Sequence, residues 1–225
     1  MRSISENLTA TNARILEAAR ACGRDPEGIK LIAVSKTKPI ADLEAAFAAG
    51  QRDFGENYVQ EAVQKITQLA HLDIHWHFIG AIQSNKTALL AQHFDWVHTV
   101  SRLKIAARLA TPRTQSNPLN ICLQVNVDDD PKKAGVHPDE TALLLDQVNQ
   151  LPGLRARGLM TILANAGDPG LSYARMHALF RDLAPIGGSN WDTLSMGMSQ
   201  DMDAAIANGA TSLRIGRAIF GARRR

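Results

Sequence analysis

Lys36 ends the apolar run Leu31-Ile-Ala-Val-Ser-Lys36, and two later runs, Leu194-Ser-Met-Gly-Met-Ser199 and Ser212-Leu-Arg-Ile-Gly216, end in Ser or Gly. A lysine amine can form a Schiff base with a carbonyl once it loses its proton. Strand alternation turns Ile32, Val34 and Lys36 to one face and Leu31, Ala33 and Ser35 to the other. On an enclosed face, desolvation and the nearby charge of Lys38 both favour the neutral amine. Taken alone, Lys36 reads more readily as a solvated lysine ahead of the helix that Pro39 opens. The two later runs shift that balance. Ser195, Gly197, Ser199 and Gly216 offer hydroxyls and backbone N–H groups that glycine leaves open to an anion. Ser199 also stands where a helix starting near residue 200 needs an N-cap, which is its plainer role. A phosphate cup beside a strand-end lysine suits a ligand with both a phosphate and an aldehyde, and pyridoxal 5′-phosphate is the candidate.

Arg214 alternates with Leu213 and Ile215 and so points inward, where a guanidinium needs a carboxylate or a ligand because it keeps its proton. Toward pyridoxal phosphate it would donate to the pyridine nitrogen, with Arg217 nearer the phosphate. Asn57, just past the second strand in Phe54-Gly-Glu-Asn57, is placed to offer an amide, and Met160-Thr161 could wall the pocket. His75 and His77 lack a third ligand and read as structural rather than metal-binding. Asp128-Asp129-Asp130, between Asn126 and Lys133, reads more readily as a solvated turn than as a divalent-ion site. No metal is expected.

These groups need elements that bring distant strand ends together. Period and turn signals predict strands at residues 31–35, 53–54, 75–79, 96–99, 120–127, 156–161, 193–196 and 213–215. Helices are predicted at 41–49, 56–69, 85–93, 101–110, 139–150, 171–183 and 200–207, and a leading helix carries Ile4, Leu8, Ile15 and Leu16. Strict alternation points to an α/β fold, a single (β/α)8 TIM barrel with an extra N-terminal helix, whose last two strands are the usual phosphate site. The strands at 53–54 and 96–99 are the weakest, and a doubly wound open sheet is the alternative. The segments 111–118 and 164–170 read as loops, not domain boundaries, so residues 1–225 form one domain with a short basic tail at 222–225.

Composition narrows the class. The 225 residues, 45% hydrophobic, can bury a large core, and the net charge of +3 with only 5% aromatic residues argues against a nucleic-acid surface. Cys22 and Cys122 are far apart without metal spacing, as in a reduced cytoplasmic protein. No signal core and no membrane-length apolar run is visible. The absence of heptads or an exposed apolar stripe makes a monomer the expectation.

Ala33-Val-Ser-Lys-Thr-Lys-Pro39, Phe54-Gly-Glu-Asn-Tyr58, His77-Phe-Ile-Gly80 with Gln83-Ser-Asn-Lys86, Gly158-Leu-Met-Thr161, Leu194-Ser-Met-Gly-Met-Ser199 and Leu213-Arg-Ile-Gly216 follow in the order of a known family. The chain resembles the YggS/PROSC family of pyridoxal phosphate homeostasis proteins from about residue 5 to 222. The resemblance implies a barrel like the N-terminal domain of alanine racemase, a Schiff base on Lys36, and pocket positions at Asn57, Ser195, Ser199, Arg214 and Gly216. It also implies a role in keeping pyridoxal phosphate low yet available, with apo-enzymes as its recipients. Two positions depart from the pattern: Arg217 stands where Thr or Ser is expected, so a charge-assisted phosphate contact would replace a hydroxyl one, and Ala81-Ile82 replaces a more usual pair.

Two other functions compete: a racemase or related carbanion enzyme on the same cofactor, and a cofactor-free Schiff-base aldolase. The expectation is a binding protein with at most feeble side activity. Racemisation needs a second acid/base facing the lysine across the substrate; alanine racemases draw it from a further domain and a partner subunit, and no such domain is expected here. Tyr58 and Tyr173 are the only tyrosines.

Overall fold

The computed structural model describes residues 2–164 and 167–222. The tail Arg223-Arg224-Arg225, expected to be solvated, and Asn165-Ala166 of the expected 164–170 loop lie outside the described residues. Helix α1 (Ile4–Ala21) opens in a capping box: Ser3 Oγ accepts the Glu6 N–H, and Glu6 Oε2 accepts the Ser3 N–H at 2.6 Å. There follow β1 (Lys30–Val34), α2 (Ile40–Ala48), β2 (Asp53–Glu56), α3 (Val59–Gln68), β3 (His75–Phe78) and α4 (Thr87–His93). Next come β4 (Trp96–Val100), α5 (Leu103–Ala110), β5 (Leu119–Gln124), α6 (Thr141–Asn149), β6 (Leu154–Met160) and α7 (Pro169–Asp182). The chain closes with α8 (Ala184–Gly187), β7 (Thr193–Ser195), α9 (Met202–Ala207), β8 (Ser212–Ile215) and α10 (Arg217–Phe220).

The strands pair in parallel in chain order, and β8 returns to β1 with Arg214 beside Ile32, so the sheet is a closed eight-stranded barrel rather than an open one. Each strand sends an apolar side chain outward into the layer under the helices: Ala33, Phe54, Phe78, Val97, Ile121, Leu159, Leu194 and Leu213, all fully buried. Burying a side chain of Val, Leu or Phe size stabilises by about 1.5–3 kcal/mol, so this ring is the main adhesive between sheet and helices. Ile32, Cys122 and Met160 are buried outside that layer, inside the barrel, with the polar His77, His98, Ser195 and Arg214. The interior His98 breaks the apolar pattern of β4, and β2 is only Asp53-Phe-Gly-Glu56, with a glycine between two carboxylates, so both read weakly as strands. Helix α1 spans the seam against α2, α9 and α10. There, Arg24 Nη1 donates to the carbonyls of Ile206 at 2.7 Å and Ala210 at 2.8 Å.

Most boundaries move by one or two residues from expectation, β5 ends at Gln124 and not at residue 127, α8 was not expected, and three further shifts bear on the site. β2 runs on to Glu56, so α3 starts at Val59; α9 starts at Met202; and the turn after β8 is the short helix α10. Among the described residues no helix is long and apolar enough to cross a membrane.

Candidate functional site

At the C-terminal mouth of the barrel lies a cavity of about 370 Å³. Lys36, Asn57, Ser199, Arg214, Gly216 and Arg217 all line it, alongside Val34, Ile79, Ile162, Met198, Gln200 and Asp201. Six of the seven residues singled out in the sequence thus meet in one place, though they come from the segments that follow β1, β2 and β7, from β8 and from the start of α10. Ser195, the seventh, is fully buried a step deeper and accepts a hydrogen bond from Arg214 Nη1 at 2.8 Å. It holds a cavity residue rather than lining the cavity. Ile162 takes the walling place expected of Met160-Thr161: Met160 is buried inside the barrel, and the Thr161 carbonyl accepts from Arg214 Nη2 at 2.7 Å.

Lys36 sits between two anchored residues. On one side Ser35 Oγ donates to Glu56 Oε1 at 2.7 Å, and the Ser35 carbonyl accepts from Lys65 Nζ at 2.8 Å. On the other side the Thr37 N–H donates to Glu61 Oε1 at 2.6 Å. Lys65 Nζ bridges the two carboxylates, at 2.8 Å from Glu56 and 2.6 Å from Glu61. Thr37 has φ of 61°, a left-handed conformation that costs a non-glycine residue about 1–2 kcal/mol and needs such anchoring. Burial raises the pKa of the Glu56 carboxyl, against the opposing pull of Lys65. Sequence reasoning missed this cluster; its one visible trace is the i,i+4 spacing of Glu61 and Lys65. Lys38, expected to act on Lys36 by its charge, donates to the carbonyls of Phe220 at 2.7 Å and Ala222 at 2.9 Å and so fastens the end of α10.

Arg214 is buried and forms no ion pair among the described residues; the barrel carboxylate that could have matched it is not there. Burial lowers its pKa from the ordinary value, opposed by Tyr173 and Asp201. Its bonds to Ser195 and Thr161 take two of five N–H donors and fix the guanidinium plane. Asp201, which sequence reasoning did not single out for the site, is held by the Tyr173 hydroxyl at 2.8 Å and the Met198 N–H at 2.6 Å. Asp201 also takes the N-cap position of α9, so Ser199 is not the cap it was expected to be, because the Gln200-Asp201 turn delays the helix to Met202.

Asn57 is set by close packing. A Cβ on Gly80 would come within 2.2 Å of the Asn57 carbonyl oxygen, so only glycine lets β3 end there. Asn57 Oδ1 is buried and has no hydrogen-bond partner among the described residues. An acceptor left so costs about 1–3 kcal/mol unless a ligand supplies a donor. At Gly216 a Cβ would press on the Val34 carbonyl at 3.1 Å.

The acidic turn is structural. Asp128 accepts from the Ala164 N–H at 3.0 Å, Ser172 Oγ at 2.5 Å and Arg175 Nη2 at 3.1 Å, while Asn126 closes on Asp130. No group of three His, Cys, Asp or Glu residues among those described is arranged to hold a metal. The opposite end of the barrel has a larger cavity, about 570 Å³, bounded by Lys30, Asp53, His77, Trp96, Arg157 and Asp192 among others. Four of its charged groups are paired, while Arg52 donates only to the carbonyls of Phe47 at 2.9 Å and Gln51 at 3.0 Å. Lys30 Nζ lies 2.8 Å from Asp53, and Arg157 pairs with Asp192 and lies 4.7 Å over the Trp96 ring.

Known proteins with this sequence pattern are numerous. The family model described as alanine racemase, N-terminal domain, matches residues 7–224. The pyridoxal phosphate homeostasis protein of Pseudomonas aeruginosa is 53% identical, over 99% of this chain and 97% of its own. The protein of the same name from Escherichia coli is 48% identical, over 99% and 98%. PipY of Synechococcus elongatus, solved without pyridoxal phosphate, superposes with a TM-score of 0.86 at 37% identity, covering 97% of this chain and all of PipY. PipY with pyridoxal phosphate bound gives a TM-score of 0.83 at 36% identity over the same shares.

Proposed function

The chain belongs to the alanine racemase N-terminal-domain family, in its YggS/PROSC branch of pyridoxal phosphate homeostasis proteins, and from that premise we propose that it binds pyridoxal 5′-phosphate at the C-terminal mouth and holds and releases it. The observation that carries this reading is the convergence of Lys36, Asn57, Ser199, Arg214, Gly216 and Arg217 on one cavity that also holds a buried, partnerless amide oxygen. The pyridoxal phosphate bound by PipY, a relative at 36% identity, supports the choice of ligand.

Lys36 would hold the aldehyde carbon through its Nζ as a Schiff base. Ser199, the Gly216 N–H and Arg217 would take the phosphate, and Asn57 would accept from or donate to the ring substituents. Arg214, supported from below by Ser195, would face the pyridine nitrogen. Bound pyridoxal phosphate supplies an electrophilic carbon and an electron-withdrawing ring. An arginine there donates and cannot accept a proton, which keeps the ring nitrogen unprotonated and the electron sink weak. Tyr173 would serve poorly as the second acid/base, because its hydroxyl donates to Asp201 and burial raises its pKa. Tyr58 is half-exposed at the start of α3.

This favours reversible storage over turnover, with apo-enzymes as recipients. The protein works as one domain, as a monomer, in the cytoplasm, in keeping with the two unpaired cysteines. Titration with pyridoxal phosphate should produce a bound absorbance band that Lys36→Ala removes. Amino-acid racemisation or transamination at about 1 s⁻¹ or faster, abolished by Lys36→Ala, would replace this reading with the enzyme one.

A further inference from the structure

We propose that Asp53, His77 and His98 are positioning residues for Arg214, acting through Ser195 along the barrel axis. The proposal rests on Arg214 being the cofactor's ring partner, and it assigns work to a buried row outside the cofactor cavity. His77 Nε2 lies 2.9 Å from Asp53 Oδ1, His77 Nδ1 lies 2.9 Å from His98 Nε2, and His98 Nδ1 lies 2.9 Å from Ser195 Oγ. Ser195 Oγ then meets Arg214 Nη1 at 2.8 Å. Five side chains so connect the N-terminal mouth to the cofactor mouth without a gap.

The row has one consistent direction. Arg214 can only donate, and an ionised Asp53 can only accept. If both imidazoles are neutral, His77 must carry its proton on Nε2 to meet Asp53, leaving Nδ1 to accept from His98 Nε2–H. His98 Nδ1 then accepts the Ser195 hydroxyl proton, and Ser195 Oγ, with its hydrogen committed, accepts from Arg214. The reverse order would set a histidine lone pair against the Asp53 carboxylate.

The surroundings favour that state. Burial raises the Asp53 carboxyl, but His77 and Lys30 outweigh it and bring its pKa down to about 2. Burial lowers His77, against the pull of Asp53, with Lys30 and Asp95 as further charges. Burial, helped by His77, Arg214 and Lys30, pushes His98 well below the usual histidine range. The His77 ring also stacks on Trp96 at 5.6 Å. A serine whose proton is drawn away is the stronger acceptor, so the row tightens the bond that orients the guanidinium.

Nitrogen-15 NMR of the cofactor-free protein reads the tautomers directly. Both imidazoles should be neutral with the proton on Nε2 near neutral pH; a proton on Nδ1 of either would overturn the proposal. His98→Leu removes the acceptor for Ser195 and should weaken pyridoxal phosphate binding about tenfold and change the bound absorbance band. His98→Asn, whose amide oxygen can stand in for Nδ1, should restore most of that loss. Equal affinity and spectrum in wild type and a folded His98→Leu would overturn the proposal, as would His98→Asn behaving no better than His98→Leu. If His98→Leu does not fold, Asp53→Asn serves: its amide can turn either way, so His77 should sample both tautomers, and an unchanged tautomer signal would count against the row. Failure of the wild type to bind pyridoxal phosphate would sink the cofactor reading, while the tautomer measurement would still decide the row.

Discussion

The two mouths of the barrel are built from the same strands, yet they treat charge in opposite ways. At the N-terminal mouth Lys30 and His77 share Asp53, and Arg157 is matched by Asp192. At the C-terminal mouth Arg214 and Arg217 have no carboxylate partner among the described residues, and the Asn57 amide oxygen has no donor. The larger cavity is the one that holds these ion pairs. The cofactor site we propose is therefore the smaller cavity, chosen for its unmet hydrogen-bonding capacity and not for its volume. Parallel closure explains the asymmetry, because all eight strand C-termini, with the loops that follow them, gather at one end.

Glycine substitutions should separate the mouths most sharply. Gly80→Ala drives a Cβ to 2.2 Å from the Asn57 carbonyl. Backbone must move there, so urea denaturation should report a loss of about 3 kcal/mol or more, with cofactor binding lost too. Gly28 lines the opposite cavity, where a Cβ meets nothing within 4 Å. Gly28→Ala should stay within about 0.5 kcal/mol of wild type.

Arginine substitutions give the next largest contrast. Arg217→Ala should weaken pyridoxal phosphate by about 1.5–3 kcal/mol, the worth of a charge-assisted hydrogen bond. It should leave pyridoxal, which lacks the phosphate, almost unaffected. Arg157→Ala, at the matched mouth, should cost stability but leave affinity for pyridoxal phosphate within about twofold of wild type. Equal losses from both substitutions in a binding titration would erase the comparison.

Acid should act mainly through the matched mouth. His77 and His98 have folded pKa values below the unfolded one, so the stability they preserve is present above about pH 6.5 and is lost as pH falls through their depressed values. Asp53, lowered to about 2, adds a term that is present above its unfolded pKa near 4 and lost as pH falls toward 2. Denaturation midpoints should therefore decline in two stages on acidification. Asp53→Asn should remove the lower stage.

Much of this was legible in the sequence, for physical reasons. The βα period pointed to eight strands and a barrel but left an open sheet as the alternative, strand parity turned Lys36 and Arg214 inward, and Ser and Gly at strand ends pointed to the mouth. What stayed hidden depends on contacts across elements. The Glu56–Lys65–Glu61 cluster that anchors both neighbours of Lys36 joins β2 to α3. The pairing of His77 with His98 depends on how β3 and β4 settle against each other, which no local pattern encodes. Ser199 looked like a cap because its neighbours Gln200 and Asp201 resemble a first turn; the helix begins two residues later.

Borohydride reduction of the protein loaded with pyridoxal phosphate, followed by peptide mapping, tests the central claim most directly. It converts the Schiff base to a stable amine on whichever lysine holds it. The two mouths each offer a candidate, Lys36 at one and Lys30 at the other. This account predicts the label on Lys36. A label chiefly on Lys30, or on Lys38, Lys86 or Lys133, would contradict it.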